Sequence, residues 1–393
     1  MEIKGFTFSA IEAAIKKPGR LDLAVIISEL PAATAAVYTT NRVKAAPVLL
    51  SMERSAKGVT RALVVNSGNA NACTGSQGLS DARETTRLIA ERVGVAEDLV
   101  LVASTGVIGK PLPMEKIRGA VPGLFGPSAV TDLDGLARSI MTTDTFPKVA
   151  SCIGEAGGIS YAIAGVAKGA GMIMPNMATM LSFLMTDAAV DPEYLRTVFR
   201  DAVDASFNII SIDGDTSTND MAVIMANGMA GNPAIQTGTP EAARFEALLQ
   251  ETLLSLARQI VRDGEGATKF VEIRVTGAHS NSDAKKAAMA VANSLLVKTA
   301  FFGQDANWGR IVAAVGYSGA EIDQDLISLS FDDVLMVSNG VFVGGDAEEK
   351  GSEVLHKNEF SVTVDLALAE GRATVYTSDL SHDYVSINAD YRT

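Results

Sequence analysis

The chain has 393 residues, more than a single hydrophobic core usually holds, so two or three packed subdomains are expected. It is 47% hydrophobic and 20% charged, which excludes a disordered chain. A net charge of -13 argues against nucleic acid and against an anionic membrane surface as partners.

The amino-terminal MEIKGFTFSA has no basic segment leading into an apolar run, so a cytoplasmic protein is expected. Cys73 and Cys152 make no disulfide framework and read as buried, reduced thiols. His279, His356 and His382 are scattered, with no HExxH and no CxxC, so no metal site is expected. So few histidines also give a Ser-His-Asp triad little to draw on.

Residues 20–110 alternate short apolar runs with turn residues. LDLAVIISEL, RALVVNSGNA and DLVLVASTGVIG read as buried strands entering Gly- and Asn-rich loops. LSDARETTRLIAERVGV has helical spacing and stops near Gly94, so the order strand, helix, strand predicts an α/β layer arrangement. DPEYLRTVFRDAVDASF opens as a helix with Asp191 as N-cap and Pro192 in the first turn. TPEAARFEALLQETLLSLARQIV repeats the signal, with Phe245, Leu248, Leu249, Leu256 and Ile260 on one face. SDAKKAAMAVANSLLVKTA predicts a third helix. In FSVTVDLALAEGRATVYTSDL, Phe360, Val362, Val364, Leu366 and Leu368 alternate and Glu370-Gly371 makes a turn, the pattern of a hairpin.

Between Lys168 and Asp187 lie 18 residues without a charge, long enough to suggest a membrane crossing. Gly169, Gly171, Pro175 and Asn176 interrupt the stretch, and a buried core crossing rich in Met is the plain alternative. Its chemical interest is the Ala178-Thr179 bond. A threonine hydroxyl is a poor nucleophile without a base. A cut before Thr179 would supply one, because an α-amine with a pKa of about 7.7–8.0 would then sit beside that hydroxyl. Apolar surroundings would strengthen every hydrogen bond to a developing oxyanion.

Other loops carry weaker signals. STGVIGK, 104–110, lacks the spacing of a Walker loop, and GVAKGAG lacks that of a dinucleotide fingerprint. Both are better read as places where bare backbone N–H groups approach a ligand. SIDGDTSTND places Asp213, Asp215, Asn219 and Asp220 around a glycine, and a hydrogen-bonded turn fits it better than a calcium loop.

KGAGMIMPNMATML closely resembles the self-processing site of the ornithine acetyltransferase family, the bifunctional arginine-biosynthesis enzymes also called glutamate N-acetyltransferases. VVNSGNANACTG, ASTGVIG, TTDTFPK, RDGEGATKF, GQDANWGRI and NADYRT resemble family motifs in family order, over the whole chain. The resemblance implies an α/β (α+β) fold like that of the N-terminal-nucleophile hydrolases, with layered sheets between helices and different connectivity. A smaller C-terminal α/β subdomain would span about 281–393.

The same resemblance implies self-cleavage between Ala178 and Thr179, giving an α chain (1–178) and a β chain (179–393) in an α2β2 tetramer. Thr179 would take the acetyl group from N2-acetyl-ornithine and pass it to glutamate. Thr105, by its hydroxyl, and Gly106, by its N–H, resemble the oxyanion hole. Thr145, Lys168, Thr179, Glu265, Asn388 and Thr393 resemble the substrate-binding set. Charge suggests Lys168 for the substrate α-carboxylate and Glu265 for the ornithine ammonium. No cofactor is implied. Acetyl-coenzyme A is a co-substrate of some family members and not of others, and no coenzyme motif stands out. An aminopeptidase with the same fold and self-cleavage is the second reading, and a non-catalytic amino-acid-binding protein that stays uncut is the third.

Overall fold

The computed structural model describes residues 2–174 and 180–390. The expected cleavage residues Ala178 and Thr179, and Thr393 at the carboxyl end, lie outside the described residues.

Among the described residues the strands form two sheets. The first contains β1 (Phe6–Ile11), β2 (Leu23–Tyr38), β3 (Val59–Asn66), β4 (Val100–Ser104), β5 (Lys148–Ala156), β6 (Ile159–Lys168) and β7 (Leu181–Thr186). After the short β8 (Ile210–Ser211), β9 (Met221–Ala226) completes it. The order is β4-β3-β2-β9-β7-β6-β5, with β1 paired antiparallel to β2. The second sheet takes β10 (Phe270–Ala278), β11 (Ser328–Phe331), β12 (Val334–Ser338), β13 (Val341–Phe342), β14 (Glu359–Asp365) and β15 (Gly371–Ser378). Its order is β13-β12-β11-β14-β10-β15-β8.

Among the described residues, eleven helices cover these sheets. They are α1 (Ala46–Ser55), α2 (Gly75–Val93), α3 (Met114–Leu124), α4 (Leu133–Ile140), α5 (Pro192–Asp204), α6 (Pro240–Arg262), α7 (Asn281–Asn293), α8 (Leu295–Phe302), α9 (Trp308–Gly316), α10 (Ala347–Leu355) and α11 (His382–Asp390).

The expected α/β layering is present. β3 and β4 pair in parallel with α2 between them in the chain. Asp191 caps α5, its carboxylate accepting the Glu193 and Tyr194 N–H groups at 3.0 and 2.9 Å. The apolar face of α6 is buried as its spacing requires, with Phe245, Leu249, Leu256 and Ile260 at 0% exposure.

Within the charge-free stretch, residues 169–174 follow the end of β6 and residues 181–186 form β7, every residue of which is buried. Leu184 packs into the core under α5 and α6, while Leu181, Phe183 and Met185 pack into the core on the other face. A strand covered on both faces has no place for a charge. No helix among the described residues is long and apolar enough to cross a membrane.

Three expectations are corrected. β14 and β15 are not a hairpin, because β10 lies between them, parallel to β14 and antiparallel to β15. The third helix is two, because Ser294 takes an extended backbone (ψ 112°) that ends α7 while its hydroxyl accepts the Val297 N–H at the start of α8. Cys73 is exposed and Cys152 half-buried, so neither is the enclosed thiol expected.

Candidate active site

One cavity gathers loops from distant parts of the chain. Its wall includes Thr105 and Gly106 after β4, Lys168 at the end of β6, and Met180 and Leu181 at the start of β7. Asp213, Asp215, Asn219 and Asp220 come from the loop before β9, Glu265 from the turn after α6, and Tyr384 and Asn388 from α11.

Local chemistry explains why these loops meet. The Asn219 amide donates to the Ala70 and Ser104 carbonyls at 2.6 and 2.8 Å, tying the loop before β9 to the glycine loop after β4. Gly106 sits at φ 130°, and a Cβ there would lie 2.4 Å from the Gly68 carbonyl carbon, so only glycine lets the two segments touch. Asp213 accepts the Met172 and Ile173 N–H groups at 2.6 and 2.8 Å and the Tyr384 hydroxyl at 3.2 Å. The turn is hydrogen-bonded, as its sequence suggests, and its first carboxylate is occupied by backbone and by α11.

The Lys168 ammonium donates to the Thr105 hydroxyl at 3.2 Å. A hydroxyl that accepts from an ammonium keeps its own proton to donate, as an oxyanion donor must. Glu265, buried at 9% exposure, accepts the Asn388 amide at 2.7 Å. Its carboxylate lies against Gly171, where a Cβ would come within 2.5 Å of it. The structure therefore brings Thr105, Gly106, Lys168, Glu265 and Asn388 to one cavity.

Thr145 is placed differently. It lines a neighbouring cleft with Arg262 and Asp383, and its hydroxyl and N–H both donate to Asp263.

Behind the cavity lies an ion network that no local pattern announces. The Lys148 ammonium meets Asp144 at 2.7 Å and Asp263 at 2.5 Å, with all three side chains at 0–1% exposure. Asp144 also accepts the Gly169 and Thr142 N–H groups at 2.7 and 2.9 Å. Burial pushes Asp144 up, but the ammonium groups of Lys148 and Lys168 outweigh it and bring the carboxyl down to about 2. Asp220 behaves oppositely. Burial lifts its carboxyl well above the usual range, and the Lys168 ammonium and the Ser217 and Thr39 hydroxyls offset this only in part. Sequence reasoning named Asp220 only as a turn residue and gave Asp144, Lys148 and Asp263 no role, although TTDTFPK and RDGEGATKF contain all three and Asp144 and Lys148 stand at i, i+4 spacing.

The model of the ArgJ family matches residues 7–393. A relative from Geobacter sulfurreducens, named arginine biosynthesis bifunctional protein ArgJ, is 69% identical over 393 residues, covering 100% of both chains. One of the same name from Syntrophotalea carbinolica is 53% identical over 394 residues, again covering 100% of both. Among solved structures, the arginine biosynthesis bifunctional protein argJ of Bacillus halodurans is 40% identical with a TM-score of 0.51, covering 52% of this chain and 96% of that one. The chain belongs to the ArgJ family.

Proposed function

We propose that the chain is an acetyltransferase of arginine biosynthesis that moves an acetyl group from N2-acetyl-ornithine to glutamate through an acetyl-Thr179 intermediate. The observation that carries the reading is the paired arrangement of Lys168 with Thr105 and Asn388 with Glu265 in one cavity, whose wall continues into Met180, the residue after Thr179. One lysine faces Asp213, Asp215, Asp220 and Glu265 across that wall. Such a balance suits a substrate that carries an ammonium group as well as a carboxylate.

In this reading the precursor cuts itself between Ala178 and Thr179, and the two chains assemble as α2β2 in the cytoplasm. The new α-amine takes the Thr179 hydroxyl proton, the hydroxyl oxygen attacks the acetyl carbon, and the Thr105 hydroxyl and Gly106 N–H stabilise the oxyanion. Thr145, Lys168, Glu265, Asn388 and Thr393 hold the substrate. The relatives are named bifunctional, and acetyl-coenzyme A is the second acetyl donor this reading proposes for such a second activity.

Mass spectrometry tests the core of the reading. Mixing the enzyme with N2-acetyl-ornithine alone should add one acetyl group to the chain beginning at Thr179. Replacing Thr179 by Ala should leave one uncut chain of 41.0 kDa that takes up no acetyl group. Cleavage at the same bond in Thr179→Ala would defeat the mechanism. Running the assay with acetyl-coenzyme A and glutamate tests the second donor.

A further inference from the structure

Each half of an acyl transfer between amines moves one proton: in the first, Thr179 Oγ loses it and the departing nitrogen gains it, and in the second the incoming amine loses it and Oγ regains it. Amide nitrogen leaves poorly as an anion, so it must be protonated as its bond breaks, either by the α-ammonium that took the Oγ proton or by a second acid standing ready beside it.

The cavity contains a group built for that task. Asp220 is 2% exposed and lines the wall, yet its Oδ2 has no hydrogen-bond partner among the described residues. Six buried side-chain polar atoms are unpaired in this way, and of the six residues only Asp220 lines this cavity. Leaving a buried acceptor unpaired costs about 1–3 kcal/mol, which a purely structural aspartate would avoid. Its place along the strand matters as much. β7 and β9 run parallel with Leu181 opposite Met221, and the Met221 N–H donates to the Met180 carbonyl at 2.9 Å. Asp220 therefore stands beside Met180, next in sequence to the proposed nucleophile.

We propose that Asp220 carries the proton of the substrate nitrogen in both halves of the reaction. This inference rests on acetyl transfer through Thr179. In the first half, Thr179 Oγ bonds to the acetyl carbon and its proton passes to the α-amine. The carbon–nitrogen bond then breaks as Asp220 Oδ2–H gives its proton to the nitrogen, so ornithine leaves as a neutral amine. Asp220 is left as a carboxylate facing Lys168. In the second half the glutamate amine attacks the acetyl-threonine carbon and gives its proton to Asp220, and the α-ammonium returns its own proton to Thr179 Oγ. Burial supports the assignment, since it keeps the carboxyl protonated well above the ordinary range while Lys168 steadies the carboxylate once formed. The charged and titratable groups sharing its cavity are Lys168 from β6, Asp213 and Asp215 from its own loop, Glu265 after α6, and Tyr384 on α11.

Two acetyl donors with different leaving groups separate this role from a structural one. p-Nitrophenyl acetate expels a stable phenolate that needs no proton, whereas N2-acetyl-ornithine expels an amine that does. Asp220→Asn should slow acetylation of Thr179 by the amide donor about 10²–10⁴-fold and leave the ester donor within a few-fold. In the wild-type enzyme, kcat/KM for the amide donor should fall as pH rises through the elevated Asp220 pKa, because a general acid must be protonated. The ester donor should lack that limb. This second measurement needs no variant, so it decides the matter even if Asp220→Asn fails to fold or to mature. Equal losses with both donors in folded, cleaved Asp220→Asn, no loss with either, or a high-pH limb common to both donors in wild type would overturn the proposal. A wild-type enzyme acetylated by neither donor would instead defeat the acetyl-Thr179 reading.

Discussion

Lys148 and Lys298 are both fully buried, and the two sheets treat them in opposite ways. Lys148, at the start of β5 in the first sheet, lies between the carboxylates of Asp144 and Asp263. Lys298, on α8 against the second sheet, has no carboxylate within ion-pairing distance among the described residues. Its ammonium donates to the Thr377 hydroxyl at 2.9 Å and to the Ser378 carbonyl. Burial pushes the Lys298 amine down to about 7, with Asp379 and Asp213 pulling weakly the other way.

The difference lies in what each lysine must compensate. Asp144 and Asp263 hold backbone N–H groups of Thr142, Gly169 and Thr145, and two buried carboxylates need a cation between them. Lys298 donates only to neutral acceptors among the described residues, and Asp379 and Asp213 pull on it weakly, so its charge is dispensable. Charge is carried into the core where loops of the candidate site must be fixed, and shed where packing alone suffices.

The sharpest way to break this comparison is to remove each ammonium. Lys148→Met should destabilise the fold by about 3–5 kcal/mol, because it strands two buried carboxylates, and urea denaturation would measure the loss. A loss under about 1 kcal/mol would mean the network is not what fixes those loops.

Acid should act next. Asp144 has its carboxyl depressed to about 2 from an unfolded value near 3.8. Its contribution is therefore present above about pH 4 and disappears as pH falls toward 2, a loss of roughly 2–3 kcal/mol. Comparing wild type with Asp144→Asn across that window should show the difference shrink with acid.

Lys298→Met should be mild, within about 1 kcal/mol of wild type at pH 7, since only hydrogen bonds to neutral groups are lost. Its signature is the pH dependence. With the folded pKa depressed, the unfolded chain binds the extra proton between about pH 7 and the ordinary lysine range, so wild-type stability should gain as pH rises there. Thermal melts at pH 7 and pH 9 should show wild type gaining relative to Lys298→Met. A constant difference would mean Lys298 stays charged in the fold.

Much of this architecture was legible because it is local. Asp191 and Pro192 announce α5, the stripe from Phe245 to Ile260 announces α6, and the charge-free run that contains β7 announces a buried core crossing. What failed was non-local. Nothing between Phe360 and Ser378 says that β10, some eighty residues earlier in the chain, will slide between the two strands and undo the hairpin. Ser294 hides in a helical pattern because alanines and leucines on either side keep the period, while its cap acts only once α7 has turned away. Of the site, Thr105, Gly106, Lys168, Glu265 and Asn388 were found through motif resemblance and meet in space. Asp263 entered only as part of RDGEGATKF, and its pairing with Lys148, over a hundred residues away, went unread because ion pairing across a fold leaves no spacing to detect.

The first sheet's strand order has one more consequence. β9 and β7 lie between β2 and β6, so a chain severed between residues 178 and 179 would remain woven together. Six residue pairs join β2 to β9, and six join β6 to β7, so the first fragment supplies strands on both sides of the second's. Neither could be drawn out without baring the flanks of its partner's strands along with its own. Made separately, the fragments would present raw β edges to solvent, an invitation to aggregate. Severance in place leaves the strand pairings as they are, whereas assembly from two finished halves would demand that a sheet be interleaved after the fact.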